Sequence, residues 1–151
     1  MKILSLDQST RKTGYCYDAD QGIQYGLLTA KNKEEMYCRI KELVHRARPE
    51  LVAIESVSHQ SNNQTMITLA QLQGLIEAIA IENNMDFLDV SPNKWRTLND
   101  IPLRREKTPL KRQELKEIAV RMVTEEYGEI ETDDVAEAIL IHKAVKRIAS
   151  M

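Results

Sequence analysis

The chain has 151 residues, of which 42% are hydrophobic and 29% charged, with a formal net charge of -2. That length suits one domain with a real core, residues 1–151, and is short for two. The balance excludes a disordered chain, and no apolar run approaches the roughly 18 residues of a membrane span.

Met1-Lys2-Ile3 leads straight into a patterned segment, without the apolar block of a signal peptide, so a cytoplasmic protein is expected. The run Ile3-Leu4-Ser5-Leu6 reads as a strand that ends in Asp7. Residues 13–18 and 22–28 read as a hairpin, and 33–48 as an amphipathic helix stopped by Pro49. Leu51-Val52-Ala53-Ile54 has the continuous apolar pattern of a strand buried on both faces and ends in a second acid, Glu55. After a polar loop, residues 65–81 form a long helix with a broad apolar stripe from Met66 to Ile79. Gly74 within it suggests a close helix approach.

Residues 86–90 make another strand, and Ser91-Pro92 opens a helix carrying Trp95, which its spacing from Leu98 assigns to the core. Thr108-Pro109 repeats the cap-and-proline signal before a helix to about Tyr127, and Thr132-Asp133-Asp134 opens the last helix. The order predicts an α/β domain, a five-stranded mixed sheet with helices on both faces.

Cys16 and Cys38 lack any partner pair and read as free thiols, while His45, His59 and His142 are too scattered for a histidine metal site. His142 falls about 140° around the last helix from Glu137, the wrong side for acid catalysis there. The charge distribution says more than the total. From Lys94 to Lys116 there are eight bases against three acids, a solvated face or a phosphate-contacting one.

Four acids invite chemistry. Asp134 and Glu137, three apart, share a helix face and repel each other, which a helix N-terminus offsets only by about 0.3–1 kcal/mol. Individually they read as helix-start and surface acids, and Asp7 as a turn cap. If the fold joins their ends with Asp7 and Glu55, four carboxylates make an oxygen site of the kind magnesium prefers. Two such ions can drive phosphodiester hydrolysis.

The segments LSLDQSTRKTGY, LVAIES, LAQLQGLI, DVSPNKWR and TDDVAEAI, in this order, resemble the RuvC-like Holliday junction resolvases of the ribonuclease H-like superfamily, particularly the small phage-type members. The resemblance implies a ribonuclease H-like fold and a homodimer, built partly on the 66–79 stripe. It also implies an endonuclease that nicks branched DNA with two Mg2+ ions, Mn2+ substituting. A phage-encoded member would act in its bacterial host's cytoplasm. Asp7, Glu55, Asp134 and Glu137 then match the catalytic metal ligands, Glu137 standing where the family usually has aspartate, with Asp133 ranked below it. Lys111 matches a basic residue near the scissile phosphate, with Lys94 a weaker candidate for that role. Arg11, Lys94, Arg104, Arg105, Lys107 and Arg112 are the expected DNA contacts.

The segment from Ser56 to Asn62 lacks the aromatic that many members wedge into the junction, which predicts cutting of forks and flaps besides four-way junctions. Two other readings compete: a related nuclease acting on structured RNA, and a junction-binding module without turnover. An ATP-dependent phosphotransferase, which shares only the first motif, would need a longer chain.

Overall fold

A computed structural model describes residues 1–57 and 62–151. Three consecutive strands, β1 (Ile3–Asp7), β2 (Lys12–Ala19) and β3 (Gly22–Thr29), form an antiparallel meander. Helix α1 (Lys33–Ala47) then crosses over to β4 (Leu51–Glu55), and α2 (Asn63–Glu82) crosses over to β5 (Asp86–Val90), each new strand parallel to its neighbour. The sheet order is β3-β2-β1-β4-β5. Next come α3 (Pro92–Leu98), a hairpin of β6 (Arg104–Arg105) and β7 (Thr108–Pro109), α4 (Arg112–Tyr127) and α5 (Asp133–Ala149).

Side-chain alternation sorts the core into two layers. Leu4, Leu6, Val52 and Ile54 pack with α1 and α2 residues such as Met36, Ile40, Leu72 and Ile76. Ile3, Leu51, Ala53 and Cys16 pack on the other side with Trp95, Ala119 and the α5 residues Ala136, Ile139 and Leu140. Helices therefore cover both faces, as expected, and the described residues contain no helix long and apolar enough to cross a membrane.

Two local readings need correction. Thr108-Pro109 is not a helix start but the return strand of the small hairpin, which Leu110 closes by donating its N–H to the Leu103 carbonyl at 2.9 Å. Proline's fixed φ suits an edge strand as well as a first helical turn, so the local signal could not distinguish them. Helix α4 starts instead at Arg112, with the Lys111 N–H donating to the Glu114 carboxylate at 3.3 Å. Gly74, likewise, is not a close approach, since a Cβ there would meet nothing within 4 Å among the described residues. The tight contact is at Gly14, where a Cβ would fall 2.0 Å from the Asp134 carbonyl oxygen.

Candidate metal centre

The register explains how the acids meet. In the parallel β1/β4 pair Leu6 lies beside Ile54, so Asp7 and Glu55 end neighbouring strands together. Both follow, by period two, the residues that face α5: Ser5 and Ile3 before Asp7, Ala53 and Leu51 before Glu55. Gly14 pairs with Asp7 across the β1/β2 ladder, and its missing side chain lets the first turn of α5 settle onto the sheet. That turn is capped by the Thr132 hydroxyl, which accepts the Val135 N–H at 3.4 Å.

Carboxylate oxygens of Asp7, Glu55 and Glu137 consequently lie within 4.8 Å of one another. Glu137 is only 6% exposed. Asp134, the fourth expected ligand, lies outside that trio but lines the same cleft and shares a hydrogen bond with Asp7. Asp133, one residue away, points elsewhere and pairs with Lys116 at 3.1 Å.

Among the described residues no salt bridge involves Asp7, Glu55, Asp134 or Glu137. Their titration reflects this. Loss of solvent, then the charges of Glu137 and Glu55, push Asp7 well above the usual carboxylate range. Burial and the Glu55 charge raise Glu137 to about 7. Burial raises Glu55 as well, opposed by the Trp95 hydrogen bond and by the charges of Arg96, Arg112 and Lys116. Asp134 is raised by burial and by Asp133, against the hydrogen bond to Asp7 and the nearby lysines.

A cleft of about 890 Å³ opens over these acids, bordered by Gln8, Ser9 and Thr10 at the β1 end and by Arg96, Arg112 and Lys116 from α3 and α4. Arg112 is thus a predicted contact that the fold brings to the site. Arg11 is exposed in the adjoining β1/β2 turn. Arg104, Arg105 and Lys107 stand exposed on the small hairpin, Arg105 pairing with Glu114 at 3.4 Å. Lys94 and Lys111 are exposed and do not line the cleft. Arg96 and Lys116 take the inner positions instead. Lys116 could have been found from its spacing, one helical turn after Arg112; nothing local marks Arg96.

The donor set fits a hard cation. All three close ligands are carboxylate oxygens without a salt-bridged cation among the described residues, and Gln8, which lines the same cleft, buries its Oε1 without a hydrogen-bond partner among the described residues. Gln8 also clamps the strand ends, its amide donating to the Glu55 carbonyl at 2.8 Å. Trp95 is the core residue its spacing predicted, fully buried, yet its indole N–H donates to Glu55 Oε2 at 2.7 Å. The segment expected to lack a wedge falls mostly on residues 58–61, outside the described residues.

A mixed five-stranded sheet of order β3-β2-β1-β4-β5 with helices on both faces is a ribonuclease H-like fold. The architecture matches T. thermophilus RuvC in complex with Holliday junction substrate, with a TM-score of 0.70 at 15% identity over 99% of this chain and 97% of that one. It also matches Fowlpox virus resolvase bound to Holliday junction DNA, with a TM-score of 0.61 at 13% identity over 99% and 98%.

The family model for crossover junction endodeoxyribonuclease RuvC matches residues 3–98, and the chain belongs to that family. A RuvC of Fusobacterium nucleatum is 28% identical over 104 residues, 61% of this chain and 55% of that protein. The chain thus spans less than two thirds of that relative. Asp134 and Glu137 lie beyond the matched stretch, so their membership of the site rests on the fold.

Proposed function

We propose that the protein is a metal-dependent endonuclease that nicks branched DNA, four-way junctions as well as forks and flaps. The observation that carries this reading is the unpaired trio of Asp7, Glu55 and Glu137 on the floor of a cleft edged by Arg96, Arg112 and Lys116. Asp7, Glu55 and Glu137 would hold the cation, with Asp134 completing the set, and the volume and charge of the site suit two Mg2+ ions, Mn2+ substituting. When bound, the metal supplies Lewis-acid polarisation of the scissile phosphate and compensation of its developing charge.

The chain's own groups do the remainder. A ligating carboxylate must be ionised, so cation binding would be opposed by the upward shifts of Asp7 and Asp134 and would favour their charged forms. Arg96, Arg112 and Lys116 attract the phosphodiester and hold it over the acids. Arg11, Arg104, Arg105 and Lys107, with Lys94 and Lys111 farther out, extend the basic surface along the DNA backbone, which makes binding steeply salt-dependent. Symmetric nicking of a junction requires two sites, and the proposed homodimer uses α2, where Leu72, Ile76 and Ile79 are buried but Ile67 remains 48% exposed.

Labelled four-way junctions, forks and flaps, with matched RNA branches, test the reading. Paired nicks in DNA that require Mg2+ or Mn2+ support it. Cutting confined to RNA, or binding without nicking in either metal, overturns it.

A further inference from the structure

Trp95 is the single tryptophan of the chain and is fully buried, and its indole N–H is spent on a carboxylate. A buried indole needs an acceptor, but a backbone carbonyl would serve that need without touching the acidic cluster. Its own backbone is fixed in turn. The Asn99 side-chain amide donates to the Trp95 carbonyl at 2.8 Å and to the Leu140 carbonyl of α5 at 2.8 Å. Arg147 of α5 also donates to the Leu98 carbonyl. Helix α3 is therefore a brace. One side of it grips the carboxylate at the end of β4, and the other grips the helix that carries Glu137.

Glutamate has three side-chain torsions, so the Glu55 carboxylate would sample several orientations if only repulsion from Asp7 and Glu137 acted on it. A donor at 2.7 Å selects one of them before any cation arrives. Partners outside the ligand set commonly tune a metal site in this way. We propose that Trp95 is a positioning residue, whose indole N–H, braced through Asn99 to α5, holds the Glu55 carboxylate at the orientation and spacing from Glu137 that a bound cation requires. This role rests on the metal centre proposed above.

The test replaces Trp95 in the full chain by 3-benzothienylalanine, a bicyclic isostere with sulfur in place of the N–H. Mn2+ binding is measured by calorimetry, unfolding of the metal-free protein by thermal melting, and nicking as a function of Mn2+. Affinity for Mn2+ should fall roughly 10- to 100-fold, with the melting midpoint close to wild type and nicking recovered at high Mn2+. A purely structural role would lower the melting midpoint and leave a nicking defect that metal does not rescue, which overturns the proposal, as does wild-type Mn2+ affinity in the isostere. A wild-type chain that takes up no Mn2+ overturns the metal centre itself, and this role with it. If the isostere does not fold, the single indole N–H resonance of 15N-labelled wild type decides. A shift of that resonance as Mg2+ saturates the site supports the role, and a resonance that stays in place overturns it.

Discussion

Helix α5 borders two groups of acids that the fold treats in opposite ways. Near its start, Glu137 joins Asp7 and Glu55 with no salt bridge to any of them among the described residues. Two turns further on, Asp18 of β2 lies 3.2 Å from His142 Nε2 and 2.9 Å from Lys146 Nζ, and accepts the Ile3 N–H at 2.8 Å. Burial pushes the Asp18 carboxyl up, but those partners hold it below its ordinary value. At the cleft burial wins, and the carboxyls are raised. Asp18 finds its partners within the chain and ties β1 and β2 to α5. The acids at the start of α5 are short of positive charge, the condition that a metal ion would satisfy.

The largest expected effect separates the two places by one substitution. Asp7→Asn should reduce nicking to background while raising the stability of the metal-free protein by about 1–3 kcal/mol, because it removes a repelled charge. Asp18→Asn should instead lower stability by about 1–3 kcal/mol, leaving Lys146 and the Ile3 N–H without their carboxylate. Denaturant unfolding without metal reads both signs, and equal signs would break the contrast.

Gly14→Ala comes next. The added methyl meets the Asp134 backbone, so α5 must shift, at a cost of about 1–3 kcal/mol. Mn2+ affinity should fall with it, while the Asp18 group, farther along the helix, keeps its contacts. Calorimetry and melting together check this.

The pH dependence is smaller and has opposite signs in the two places. Glu137 rises from an ordinary 4.5 to about 7, so the folded chain binds more protons than the unfolded one across that interval. Metal-free stability should therefore fall as pH rises from 4.5 to 7, and saturating Mg2+ should remove the slope. Asp18, held low, stabilises above the usual carboxylate range and loses that contribution only as pH falls through its lowered value. Melting curves across pH, with and without Mg2+, separate the two.

The smallest effect belongs to the rim. Arg112→Ala should weaken DNA binding and reduce the salt slope by about 0.9, with the melting midpoint nearly unchanged. Binding isotherms at several salt concentrations measure it.

By itself the sequence determined the order of the five sheet strands and the five helices, though not the small β6/β7 hairpin, and it determined the acids that end β1 and β4 and the shared helical face of Asp134 and Glu137. These are local properties, carried by periodicity and by residues next to one another in the chain. It also marked Trp95 as core, because burial follows from the pattern around it. Only the tertiary structure decided that β1 and β4 pair in the register that puts Asp7 beside Glu55, that Gly14 admits α5, and that Glu137 rather than Asp134 completes the close trio. It likewise placed Arg96 and Lys116 at the acids in preference to Lys94 and Lys111, and gave the Trp95 indole a carboxylate for its partner. Strand pairing and helix docking join residues 40 or more positions apart, as Trp95 and Glu55 are. No periodicity within one segment specifies which distant segment lies across from it.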